Sequence, residues 1–283
     1  MKGSGAFCSV RGVSILLALL FLSGCEEFST IDMDLHFQPQ LVVTGFVGAD
    51  HYAMVYLQLT RHPLGSHIQI EEIDASVWLI ENQNPAYPLE KASINFFTGS
   101  SNGTSFNTYE LRVSSSWGVI HSEPVVIPQI IPIDSVVITE HPKANKNIKV
   151  FFRDPIGINY YACKVLFFDE ENTTLEFLEP ALLFHPSQIF NDIFAVNGRM
   201  EYDIPIYLSN SQVAQLHRVE VVLFHIEANA WLYFDSLLEA EGSLIDFSSE
   251  PTIVHSNMSN GLGVFGGFAS DTVSVFVQPS YLK

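Results

Sequence analysis

The first residue with distinctive chemistry is Cys25, the last position of Leu22-Ser23-Gly24-Cys25. A thiol behind two small residues is open to approach along the backbone and can be alkylated to a thioether, which no other nearby side chain can form. Elsewhere the reactive residue types do not assemble. Ten histidines invite a metal reading, yet His62 and His67 stand five apart beside Pro63 and Gly65, and no cysteine pair or HExxH spacing completes a zinc set. Asp169-Glu170-Glu171, with Glu176 and Glu179, is the densest acidic stretch; clustered carboxylates suit calcium, but the order of an EF-hand loop is absent and a solvated loop (169–179) is the default. His225 and Glu227 alternate along a strand and are expected to share one face in a structural role. Cys163, after Tyr160-Tyr161 and before Val165-Leu166, reads as a buried strand thiol. Of Trp78, Trp117 and Trp231, only Trp117, in the turn Ser114-Ser115-Ser116-Trp117-Gly118, is expected at the surface. No GxSxG, phosphate loop or kinase set occurs. The residues therefore assign no catalytic side chain, no metal ligand and no cofactor.

Cys25 must be positioned by what precedes it. Lys2 and Arg11 flank the start, and Val13 to Leu22 is an apolar run of signal-peptide length, too short to cross a bilayer, which takes about 20 apolar residues. It breaks at Ser23-Gly24 and then meets Glu26 and Glu27. The expectation is a signal peptide over 1–24, cut between Gly24 and Cys25. Leu22-Ser23-Gly24-Cys25 resembles the lipobox of bacterial lipoproteins, in which the cysteine receives diacylglycerol. Acyl chains contribute about 0.8 kcal/mol per buried methylene, so two or three of them, palmitate among the usual ones, hold a water-soluble body on a membrane. Glu26 and Glu27 resemble the acidic export signal that sends some lipoproteins to the cell surface, which places this one at the outer membrane, facing outward.

Composition narrows the partners. Lys2 and Arg11 would leave with the signal, so 11 basic residues against 31 acidic ones remain and the formal charge moves from −18 to −20. Nucleic acid is excluded in practice, because binding phosphates needs a basic stripe and the one local cluster, Lys143, Lys146 and Lys149, is sparse. After lipidation only Cys163 is left, so no internal disulfide can form. With 47% apolar residues the core must hold itself.

The pattern along the mature chain is mainly β. Residues 25–39 read as a lipidated tether. Short alternating runs then follow, Leu41–Val47, Met54–Leu59, Ala75–Ile80, Tyr109–Val113 and Val119–Ile120, separated by turn-formers, which is the signature of a β-sandwich. Pro128 and Pro132 spoil continuous pairing and mark a stiff connector, so an N-terminal β-sandwich domain is expected over 40–131 and a C-terminal β domain over 132–283. These are two tandem immunoglobulin-like sandwiches, the second with one amphipathic helix over 228–241 stopped by Gly242. Asp169 to Gln215 is expected to be an irregular inserted loop region apart from an Asn197-Gly198 hairpin turn. Gly261–Phe268 and Thr272–Val277 read as two strands joined by Ala269-Ser270-Asp271.

A family resemblance emerges from the order of these pieces. Ser23-Gly24-Cys25, Ile31-Asp32-Met33-Asp34-Leu35 and Leu41-Val42-Val43-Thr44-Gly45-Phe46 are similar to the opening of an uncharacterised lipoprotein family, domain of unknown function forty-two forty-nine. Pro132-Ile133-Asp134-Ser135, Phe152-Arg153-Asp154-Pro155 before Asn159-Tyr160-Tyr161, Asn191-Asp192 with Asn197-Gly198, the Trp231 helix and Ser259 to Gly266 continue the likeness over nearly the whole mature chain. The resemblance implies an accessory role beside a TonB-dependent outer-membrane receptor, capturing or admitting a nutrient, and the missing catalytic constellation points to a role without catalysis. Two other classes fit the same pattern: a structural or adhesive surface protein, and a surface hydrolase whose carboxylates meet only on folding, about 5 to 9.5 Å apart.

Overall fold

Leu41–Gly48 shows why the chain forms strands and where the core must lie. Leu41, Val43 and Val47 are buried on one side of this strand and Phe46 on the other, so it is apolar nearly throughout, as a strand covered on both faces must be. The computed structural model describes residues 38–61, 71–139, 146–175, 188–245 and 252–277. The signal peptide, Gly24, Cys25, Glu26, Glu27, His62, His67, Glu176 and Glu179 lie outside the described residues.

With strands numbered in chain order, the largest sheet runs β13 (Ile189–Asn191), β12 (Tyr160–Phe168), β15 (Arg218–Ile226), β17 (Leu262–Phe276), β1 (Leu41–Gly48), β2 (Tyr52–Leu59), β6 (Phe96–Asn102) and β5 (Glu90–Ser93). A second sheet runs β16 (Met258–Ser259), β8 (Gly118–Ser122), β7 (Thr108–Ser115), β3 (Ala75–Glu81) and β4 (Tyr87–Pro88), with β9 (Val125–Val126) also on β7. The third is β10 (Ile133–Thr139), β11 (Lys146–Arg153) and β14 (Arg199–Ile206). A short helix covers Asn210–Gln215 and a long one Ala228–Ile245. The protein is mainly β, and no helix among the described residues is long and apolar enough to cross a membrane.

β17 holds the molecule together. Its first half pairs in parallel with β1, from Leu262 opposite Val42 to Phe268 opposite Gly48, and its second half pairs antiparallel with β15, from Phe268 opposite Ile226 to Phe276 opposite Arg218. Side chains alternate along it. Phe265 and Ala269 enter the core beneath the second sheet and Val273 packs against the core beneath the third, so both smaller sheets cover one face of the large sheet. Val264 and Phe268 point the other way, into a third cluster with Phe46, Phe224, Ala230 and Phe234, where the long helix sits. Pro39–Lys283 makes one compact unit. The seam expected at 131/132 is thus a change of core, from one containing Ile127 to one containing Ile131, laid over a sheet that continues beneath it.

Three expectations are corrected by these elements. Ala269-Ser270-Asp271 is not a turn; all three residues pair with β15, in a single strand that changes partner without changing direction. Gly242 does not stop the long helix, which continues to Ile245; one interior glycine costs a helix only about 1 kcal/mol, less than its packed face supplies. The stretch from Asp169 to Gln215 is not irregular apart from its turn. It contains β13, β14 and the short helix, and β14 was obscured by Pro205, which an edge strand tolerates because no amide donor is needed on its open side.

Candidate functional site

The densest polar cluster lies where two connections meet, Asp154 to Asn159 between β11 and β12, and Asp192 to Gly198 between β13 and β14. Pro155 holds the residue before it in extended geometry, and Gly157 turns the chain back at φ +124°. Asn197 and Gly198 both have positive φ, 53° and 68°, between the bridged pair Val196 and Arg199, which is the two-residue hairpin turn that Asn-Gly favours. The two connections are bonded to each other. Asp154 N–H donates to Gly198 O at 3.1 Å, Asn159 N–H to Asp192 Oδ2 at 2.9 Å, and Asp192 N–H to Asn159 O at 3.3 Å. Buried Asn159 spends its amide on the same loop, donating from Nδ2 to Pro155 O at 2.9 Å and to Asp154 Oδ1 at 3.3 Å.

Beneath them Tyr161 donates its hydroxyl to Asp154 Oδ1 at 2.6 Å and stacks on Phe190 at 5.5 Å between ring centres. Burial, reinforced by the Asp154 carboxylate, pushes the phenol well above its ordinary range, so it stays protonated and serves as a donor. Tyr161→Phe should therefore cost about 2 kcal/mol, the worth of a hydrogen bond to a charged group, measured by urea unfolding.

Beside that ring, at 5.4 Å between centres, lies its cross-strand partner His225. It is buried at the seam, where its Nδ1 meets Gln129 O of the proline connector at 2.9 Å; a carbonyl only accepts, so Nδ1 carries the hydrogen. Burial is the main influence on this imidazole and lowers its pKa. The unfolded chain then takes up the proton first, near pH 6.5, so His225 contributes stability that is full above about pH 6.5 and is lost as pH falls through its folded-state value. Glu227 runs the opposite way, since burial raises its pKa and its share is lost as pH rises. Comparing wild type with His225→Gln isolates the first effect: urea midpoints at about pH 7.5 and about pH 5.5 should differ less in the variant.

Glu227 is the residue that follows β15, and its N–H still donates to Gly267 O of β17 at 2.9 Å. β15 ends at Ile226 and the long helix begins at Ala228; between them the Glu227 carboxylate accepts from Asn229 N–H at 2.9 Å, a cap on the orphan amides of the first turn. Asn229 in turn meets His255 Nε2 at 3.1 Å through Oδ1. Cys163 is buried on β12, and burial pushes its thiol up to about 12, which removes it as a nucleophile at neutral pH. Exposed His51 and Ser270 form a pair at 2.9 Å between Nε2 and Oγ, but among the described residues no carboxylate bonds the other ring nitrogen to orient it. Asp169 closes its own turn by accepting from Thr173 N–H at 2.8 Å. Among the described residues no three His, Cys, Asp or Glu side chains are grouped to hold a metal ion. Trp117 is exposed, Trp78 lies under Arg112 at 5.8 Å, and Trp231 is stacked on Tyr160 at 4.8 Å.

What sequence reasoning missed at the cluster is its outer surface. Ile156, Ile158, Ile193 and Val196 are 106%, 78%, 74% and 68% exposed on the two bonded connections. The signal was present as aliphatic residues inside turn segments, Pro155-Ile156-Gly157-Ile158 and Asp192-Ile193, where turns ordinarily carry polar ones.

A family model described as Domain of unknown function (DUF4249) matches residues 26–274. No curated protein matches the chain.

Proposed function

We infer the role of this chain from the premise that it belongs to the DUF4249 family. It is a lipid-anchored protein of the outer membrane, exposed at the cell surface, and works without catalysis as an accessory or ligand-capturing partner of a TonB-dependent transporter. The observation that carries this reading is the junction of Leu22-Ser23-Gly24-Cys25 with the body: the family match begins at residue 26, directly after the cysteine, and the compact unit begins at Pro39. On this reading 25–39 is the lipidated tether between the anchor and the body.

The folded body supports a binding role by the use it makes of its polar groups. Tyr161, Asn159, His225 and Glu227 are all spent on loops, the connector or the helix start. Asn257 fixes β17 in the same way, accepting from Phe265 N–H at 2.9 Å and donating to Phe265 O at 2.8 Å. Affinity purification from gently solubilised outer membrane tests the partnership. A TonB-dependent receptor should co-purify; a preparation containing the lipoprotein and no receptor would count against it.

A further inference from the structure

We propose that the corner formed by residues 154–159 and 192–198 docks onto a phospholipid bilayer, with Ile156, Ile158, Ile193 and Val196 entering the acyl layer and Arg153 and Arg199 binding headgroup phosphates. The aliphatic tips are held in water by structure. Buried Asn159, the Asp154–Gly198 bond and the Asp192–Asn159 bonds fix both connections, so the tips are not free to fold back onto the core. Rigid exposed aliphatic residues grouped on neighbouring turns are the surface feature that marks an interaction site.

The charge beside them identifies the occupant. Arg153 and Arg199 are direct partners in the β11–β14 ladder, both exposed, while Phe152 and Met200 next to them turn into the core. Like charges directly opposite each other are unfavourable in a sheet, and neither arginine makes a salt bridge among the described residues. In a chain of formal charge −18, two adjacent arginines stand at this end of the ladder, while Glu201, two residues along β14 from Arg199 and on its face, and Asp203 farther along are met by Lys149. The carboxylates on the two connections are turned to internal duty, Asp154 by Tyr161 and Asn159, and Asp192 by the Asn159 amide. Guanidinium groups match phosphate oxygens with paired donors. Separate β-branched tips with cations at their base suit a layer whose acyl chains can flow around them and whose phosphates lie just above. The docking rests on the folded corner and does not require acylation of Cys25.

The test uses the full processed protein with Ile156→Cys carrying a nitrobenzoxadiazole fluorophore. Buried Cys163 is not labelled. One label per chain means that Cys25 is blocked, whereas two would report a bare Cys25 and overturn the anchor while leaving the docking readable. The control is Ile94→Cys, 57% exposed at the β5–β6 turn, on the opposite edge of the eight-stranded sheet. On phosphatidylethanolamine–phosphatidylglycerol vesicles the label at 156 should shift to the blue and be quenched roughly twofold by acyl-chain nitroxide lipids, as an inserted group is, and the label at 94 should not. Reversing both arginines, Arg153→Glu with Arg199→Glu, should abolish the quenching. A label at 156 that stays in water on vesicles overturns the proposal. So does protection that appears only when a receptor protein is added, which would assign the corner to a protein partner.

Discussion

Cys25→Ser should abolish incorporation of labelled palmitate and leave residues 1–24 attached. A hydroxyl cannot form the thioether that the acyl chains require, so the effect is all or none and not a graded loss of affinity. One acyl chain gives only marginal, reversible membrane binding, whereas two or three together hold a body in place. The processed protein should accordingly vanish from the outer-membrane fraction of cells carrying the variant. Metabolic labelling with palmitate, followed by fractionation and intact mass measurement, reads all three consequences. Wild-type protein with a bare thiol at Cys25 would remove the anchor and the location proposed from it.

The second large effect is expected at Gly263→Ala. Gly263 has φ +112°, and a Cβ built there would lie 2.0 Å from Val43 O and 2.9 Å from Val43 N. Those atoms belong to the backbone of β1, so no side-chain rotation relieves the contact; the strand must move and its parallel ladder with β17 must open. Backbone strain alone costs about 1–3 kcal/mol. Strain and clash together should remove about 4 kcal/mol, a large part of the 5–15 kcal/mol that keeps a domain folded. Gly118→Ala is the matched control, since Gly118 has φ +121° and nothing within 4 Å of its would-be Cβ. It pays the strain without the clash and should lose only about 1–2 kcal/mol. Equal urea midpoints for the two variants would show that close approach to β1 is not what demands glycine at 263.

The same ladder links stability to the proposed surface. β17 joins β1 to β15, β15 pairs with β12, and the corner hangs from β12 and its neighbour β13. A defect at Gly263 reaches the corner only through these packed strands, so the fluorescence experiments belong on variants such as Arg153→Glu, whose side chain is exposed and outside every core.

By itself the sequence determined what depends on neighbours along the chain. The apolar, β-branched runs Leu41–Val47 and Val219–Ile226 favour strands, Trp231 and Phe234 lie at helical spacing, and Asn197-Gly198 favours its turn. Tertiary structure decided whatever depends on pairing across long separations. Nothing local in Leu262–Phe276 says that one strand will serve β1 with its first half and β15 with its second, because the partners lie more than two hundred and about fifty residues away, respectively. Nor could alternation alone show that His225 bonds a connector ninety-six residues away while Glu227 caps the long helix. The landmark residues Asp154, Asn159, Asp192 and Gly198 are recognisable in sequence order, but only folding bonds them into one corner. Hydrogen bonds between the two connections, and not the composition of either, are what keep four aliphatic side chains in water.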